Sequence, residues 1–322
     1  MYYNGRTGEV KVLVCIFGIF LMAAAAARRR VGIVGFGKVG QFLTQSVLTD
    51  ARAAGLLELA FVCDPVAPGA VGDASWVPND CKVDSVDAAL SLQQSDRAAD
   101  LVVEVAHPHV SRDFGVRILR GADYYVASTT AFADAVTERA LLEEAARVTG
   151  RGIYCSVGAL FGATDIQKMD TSGKLHSLSV TMHKHPDSFM PVEGSREHSL
   201  NETAKRGVAP VELFRGTVRD VAAVFPVNVN TMATAALAAA HGLGFDGTTA
   251  TIVADPSLET MIIDVEATGP PLPDGSPGLT IRSVRENPSV RGEVTGPATL
   301  HSFFSSLLNV AQQGGRDGIH LC

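Results

Sequence analysis

The stretch VGIVGFGKVGQF, residues 31–42, carries an apolar run into three glycines and then into a helical pattern. Gly35, Gly37 and Gly40 form G-x-G-x-x-G where a strand gives way to a helix. Gly35 permits a tight turn, Gly37 lets a ligand approach the main chain, and Gly40 allows close helix–strand contact. A helix starting there offers free N–H groups and a partial positive charge to a phosphate. The turn reads as a cradle for a dinucleotide pyrophosphate, with Phe36, Lys38 and Val39 as parts of the same cradle. LLELAFVC (56–63) is a second strand, closed by Asp64 at 24 positions after Gly40, near the spacing of about 20 expected of a ribose-binding acid. A carboxylate there repels a 2′-phosphate and leans the reading toward NAD. Nearby bases such as Arg52 keep NADP open.

The same alternation runs on to residue 157. LVVEVA (101–106), YYVAS (124–128) and IYCSV (153–157) are short apolar runs with helical segments between them. One helix opens at Pro108 and stops at Gly121; another, over 137–148, carries Leu141, Leu142, Ala145 and Val148 on one face. Short buried strands alternating with helices give an α/β fold with a Rossmann-type, doubly wound parallel sheet. Beyond Gly158 the texture changes. LHSLSVTMH (175–183) alternates with period 2, and TTATIVAD, ETMIIDVEA and GLTIRSVRE are further strands joined by turn-rich segments. They form a smaller α+β substrate domain with a mostly antiparallel sheet. Residues 187–207 are polar and read as a mobile insertion. TMATAALAAAHGLG (231–244) is a small-residue helix. GPATLHSFFSSLLNVAQQ (296–313) is an amphipathic helix expected to pack back on the first domain. The expected division is an extension over 1–30, a dinucleotide domain over 31–157 completed by helix 296–313, and a substrate and dimerisation domain over 158–295.

With 322 residues, 46% hydrophobic and 19% charged, the chain is long enough for two cores. Its net charge is -7 and no basic block stands out, which argues against a nucleic-acid partner. Cys15, Cys63, Cys81, Cys155 and Cys322 are scattered, so neither a disulfide framework nor a structural metal site is expected. Cys63 and Cys155 read as buried, inert thiols. The apolar segment VLVCIFGIFLMAAAA (12–26) is short for a membrane span of about 20 residues and has its arginines on the wrong side for a secretory signal. Met22 as an alternative start is the preferred explanation, and a cytoplasmic protein without a membrane partner is expected.

Several stretches together resemble the L-aspartate dehydrogenase family in its vertebrate-type form. They are VGIVGFGKVG, VVEVAHP, STTAFAD (128–134), SVGALFGATDI (156–166), FPVNVNTMATAALA (225–238) and IVADPSL (252–258). The resemblance implies an enzyme that oxidises L-aspartate to iminoaspartate with NAD or NADP. The product can enter NAD biosynthesis or hydrolyse to oxaloacetate and ammonia. A small-molecule substrate and a homo-oligomer are expected. By position, Ser128 and Thr129 lie along the cofactor, Ala159 touches the nicotinamide end, and Asn228 and Asn230 project toward the carboxamide or the substrate. Helix capping is the other reading of those asparagines. In HKHP (183–186), Lys184 or His185 is the candidate for a substrate carboxylate, against a merely solvated strand end. In VVEVAHPHV, Glu104, His107 and Pro108 fall on the carboxyl edge of the sheet; His107 is either a proton carrier or a backbone-fixing loop residue.

Oxidising an amine calls for a proton acceptor, and the family implies a histidine a few residues past D-P. Here the chain reads DPSLETMIIDVE, with Met261, Ile262 and Ile263 in that region and the expected histidine replaced near Ile262. Three readings follow. The enzyme works with His185, His241 or a water relayed by Asp255 as base; or the chain binds the cofactor as a sensor without catalysis; or it acts on another small amino or hydroxy acid, like the related homoserine-dehydrogenase and dihydrodipicolinate-reductase folds.

Overall fold

The structure, a computed structural model, describes residues 28–67, 69–158, 160–288, 291–292 and 296–322. The expectations for Cys15, for a start at Met22 and for Ala159 lie outside the described residues, as does most of the 1–30 extension.

Five short strands, β1 (Arg29–Val34), β2 (Leu57–Cys63), β3 (Leu101–Glu104), β4 (Asp123–Val126) and β5 (Gly152–Cys155), are apolar and buried over most of their lengths. Strands covered on both faces need no alternation, which is why the sequence shows continuous apolar runs. The second group is β6 (Ser177–Lys184), β7 (Val211–Thr217), β8 (Thr249–Ala254), β9 (Thr260–Thr268) and β10 (Thr280–Pro288), and the last strand is β11 (Gly318–Leu321). The first sheet has the order β11–β5–β4–β3–β1–β2 with every pair parallel. Strand order reverses between β1 and β3, and the crevice outside their carboxyl ends is where such sheets take ligands. The second sheet runs β10–β9–β6–β8–β7; only β6 and β8 pair in parallel, so the expected antiparallel character holds for the other three pairs.

One face of the parallel sheet, with Val102, Tyr124 and Ile153, shares a continuous core with Val180, Ile252 and Val265 of the second sheet. The opposite face, with Val31, Ile33 and Val103, packs under helices 38–49 and 297–313 through Leu43, Phe304 and Leu307. The terminal helix thus returns to the first domain as its apolar stripe predicts.

Sequence reading missed several elements, among them the helices Ala163–Thr171 and Val218–Val224. Residues 196–206 form a helix rather than a mobile insertion, with the Ser195 hydroxyl accepting from the His198 N–H at 3.0 Å. Its buried positions include Glu197 and Asn201, polar residues that hide the helical period. β7 and β11 were also unforeseen. β11 adds four residues to the edge of the parallel sheet, opposite β5. Asp123, 1% exposed, holds that edge: Oδ1 accepts from Gly152 N at 2.8 Å, Oδ2 accepts from Gly315 N at 2.7 Å and pairs with Arg29 at 2.6 Å. In the helix Ala135–Ala145, Leu141 is buried but Leu142 is 49% exposed, so the expected apolar face is narrower.

The four described cysteines are unpaired, and burial pushes Cys63 up to about 12, as for an inert thiol. Among the described residues no helix is long and apolar enough to cross a membrane.

Candidate active site

The glycine turn separates two kinds of need. Gly35 has φ +115°, and a Cβ there would stand 2.8 Å from Ala106 N. A Cβ at Gly40 would stand 1.9 Å from the Gly35 carbonyl oxygen. The protein's own packing therefore excludes side chains at both. At Gly37 a Cβ would meet nothing within 4 Å. Its bareness serves no internal contact; it keeps open the space over the helix that starts at Lys38. That helix has no side-chain cap and no acidic residue in its first turn, which suits it to an anion. The residues present fit a dinucleotide pyrophosphate.

The partners of the turn differ in part from expectation. Lys38 is exposed on the first helical turn and Val39 is half-buried. Phe36 points into the protein, 3% exposed, and stacks on Trp76 with ring centroids 5.6 Å apart. Asp64 accepts from Phe36 N at 3.0 Å, Val66 N at 2.8 Å and Ala67 N at 3.0 Å. About three of its roughly four acceptor sites are thereby used in bracing the turn, leaving about one for a ribose hydroxyl.

At the end of β3, Glu104 is fully buried. Its carboxylate accepts from Ala106 N at 2.8 Å, His107 N at 2.9 Å, Ser128 N at 3.0 Å and Ser128 Oγ at 2.9 Å. Burial pushes it up to about 7, against these four donors. Glu104 thus locks the β3 and β4 loops together, and Ser128 is one of its clamps. Thr129 Oγ1 donates to Asn230 O at 2.9 Å, fastening the loop to helix 230–238. His107 caps the helix Pro108–Gly121 by accepting from His109 N at 3.2 Å, and burial lowers its pKa. It faces a separate cleft with Arg112 and Arg219. The backbone-fixing reading of His107 fits this placement.

Where the two sheets meet lies a cleft of about 490 Å³ including its open mouth. Ser156 and Gly158 after β5, Lys184 of β6, Asn230, Met261 of β9 and Phe303 of the terminal helix are on its walls. Gly158 has φ +52°, and a Cβ there would lie 3.4 Å from the Phe303 ring. Asn230 Oδ1 accepts from Thr130 N at 3.1 Å. Asn228 also borders the cleft, but both ends of its amide are used: Oδ1 accepts from Met190 N at 2.8 Å and Nδ2 donates to Ser188 O at 3.0 Å. It tethers the 188–190 segment and keeps about one N–H and one lone pair beyond these two bonds. Lys184 is 3% exposed, its ammonium lies 5.8 Å from the Phe189 ring centroid, and burial lowers its pKa from 10.5 to about 8.

Residues 165–309 match the family described as aspartate dehydrogenase, C-terminal, and residues 35–156 match the one described as homoserine dehydrogenase, NAD binding domain. The aspartate dehydrogenase domain-containing protein of Xenopus tropicalis is 40% identical over 300 residues, covering 92% of this chain and 98% of the relative. The chain belongs to the aspartate dehydrogenase family. L-aspartate dehydrogenase of Methanosarcina mazei is 30% identical over 241 residues, 74% of this chain and 83% of that protein. The crystal structure of aspartate dehydrogenase from Thermotoga maritima shares the fold, with a TM-score of 0.61 at 20% identity over 88% of this chain and 97% of that one. Like its family, the chain is an NAD(P)-dependent oxidoreductase.

Against this aspartate dehydrogenase fold, the stretch with the replaced histidine can be located more closely. β9 alternates, with Met261 5% and Ile263 1% exposed on one face and Ile262 half-buried on the other. β6 and β9 pair with His183 opposite Ile262, so the next pair is Lys184 and Met261, and both border the cleft. Of the three residues 261–263, Met261 is the one that borders the cleft. Neither fallback histidine lies on the cleft wall. His185 Nδ1 accepts from Asp187 N at 3.2 Å and caps the turn Pro186–Ser188. The His241 side chain is 74% exposed, and its Nδ1 is 3.1 Å from Asp170 Oδ2. Phe303 escaped sequence reading because it comes from a helix far along the chain, and Met261, named with Ile262 and Ile263, was indistinguishable from them until the face of β9 was known.

Proposed function

We propose that the chain oxidises the CH–NH2 group of L-aspartate to iminoaspartate, which then hydrolyses to oxaloacetate and ammonia, and that it serves NAD biosynthesis. The nicotinamide, when bound, supplies the hydride acceptor. The chain's own residues do the rest. Gly35, Gly37 and Gly40 hold the diphosphate, and the cleft between the sheets holds the amino acid. The observation that carries the reading is Lys184, the titratable side chain among the described residues that border the cleft. It sits beside Met261, where a proton acceptor is needed and a thioether cannot serve.

In this reading the substrate enters as an ammonium and gives one proton to the neutral Lys184 amine. The freed nitrogen lone pair then drives loss of hydride from Cα. Lys184, expected from sequence to hold a carboxylate, serves better as proton acceptor because burial brings it near working pH. Asn230, anchored by Thr130, orients the reactants through its amide. Met261 favours a second reading, a cofactor-binding protein without turnover. The test is NAD(P)H formation by the purified chain with aspartate, beside direct NADH binding. Aspartate-dependent reduction supports the enzyme; NADH binding without it supports the second reading.

A further inference from the structure

We infer that Arg285, assisted by Asn287, is the receptor for the distal carboxylate of a dicarboxylic substrate. The inference rests on the proposed aspartate reading for the identity of that substrate, not for the existence of the receptor. Its basis is the register of three strands. Met182, Ile263 and Arg285 form one row across β6, β9 and β10, and Met261 with Asn287 belongs to the next row, which Lys184 continues. Met182, Lys184 and Met261 border the cleft. Arg285 and Asn287 extend these two rows by one strand on the same face, since Arg282, Val284 and Glu286 are exposed on the other. Lys184 and Arg285 thus stand two strands across and two residues along the sheet from each other, ~12 Å apart, within the joint reach of two long side chains to one four-carbon diacid.

Among the described residues, Arg285 Nη1 and Asn287 Nδ2 are buried without a hydrogen-bond partner. The Arg285 guanidinium lies 5.1 Å from the Phe161 ring centroid. A ring contact of this kind takes none of the N–H donors of the guanidinium, whose fork suits a planar carboxylate. Phe161 borders a neighbouring hollow that shares Val157 and Gly158 with the cleft, so Arg285 packs on a wall residue of that hollow. Arg285 is half-buried with its Nη1 donor turned inward, and an inward donor left without a partner costs stability unless a ligand supplies one.

The test uses the full chain loaded with NADH and titrated with succinate, a diacid that has no amine to oxidise. Arg285→Met is expected to weaken succinate binding ~10–100-fold, as for a lost charged hydrogen bond, while NADH affinity stays within about twofold. Its thermal midpoint should hold or rise, because a half-buried cation with an unsatisfied inner donor has been removed. Arg285→Lys should recover only part of the affinity. Succinate binding that is unchanged in Arg285→Met overturns the inference, as does loss of NADH binding together with the thermal midpoint, which would mark a structural role. If wild type turns over no aspartate, succinate binding that depends on Arg285 still supports the receptor, and wild type failing to bind succinate overturns it.

Discussion

Replacing Lys184 by methionine should cost activity and add stability, and the two effects should depend on pH in a defined way. Burial lowers the lysine from 10.5 to about 8. That difference of about 2.5 pH units corresponds to about 3 kcal/mol against the charged form in the folded state. The contact with Phe189 returns about 0.5–2 kcal/mol of this, so Lys184→Met should gain about 1–3 kcal/mol at pH 7. Between pH 8 and 10.5 the unfolded chain keeps a proton that the folded chain has lost, so wild-type stability rises with pH there. The mutant's advantage should therefore be full below pH 8 and gone above about 10.5. Urea denaturation at pH 6, 8 and 10 reads this directly. For turnover, kcat/KM with aspartate should climb up to about tenfold per pH unit below 8 and level off above it, and Lys184→Met should lose about 10²–10⁴-fold. A profile that instead falls above pH 8 would refute the proton-acceptor role, since it would mean that the cation is needed, as for holding a carboxylate. A mutant less stable than wild type at every pH would refute the burial argument itself.

Gly37→Ala should fold with unchanged stability yet bind NADH about tenfold more weakly or worse, whereas Gly40→Ala should lose about 1–3 kcal/mol or more, because only the second meets protein atoms. Fluorescence titration and thermal melts separate the two. Met261→His should raise kcat/KM about 10-fold or more with a new ionisation near 6.5, while Ile262→His should not. A gain at 262 alone would show that the faces of β9 are assigned the wrong way round. Asp123→Ala strands the Arg29 cation and two N–H groups and should cost about 3–5 kcal/mol in urea denaturation.

The parts of the site legible in sequence were those fixed by local sterics. Three glycines between an apolar run and a helix have few physical explanations, and the structure gives each a distinct one. Asp64 was legible as the acid after β2, but its work as a brace for Phe36, Val66 and Ala67 depends on loops that fold back on it. Side-chain direction was the weak point. Thr129, Asn228 and Phe36 all stand in the right segments, yet each points into a protein contact that a one-dimensional pattern does not encode. Which of Met261, Ile262 and Ile263 borders the cleft was hidden for the same reason: moving one residue along a strand changes its face, and three apolar residues in a row conceal which is which. Helix 196–206 was missed because its buried side includes Glu197 and Asn201, and Arg285 because its significance lies in a register with strands about 20 and 100 residues earlier.

The clasp at Asp123 makes the nucleotide half discontinuous in sequence. β5 pairs with a strand that arrives only after all of the second sheet has been laid down. A fragment cut at residue 157 would leave the outer edge of β5 with bare amide and carbonyl groups, an invitation to pair with other copies. It would also strip the aromatic cover that Phe304 gives the other layer. Dissection of this protein into working pieces therefore calls for residues 296–322 to be spliced back onto the first half.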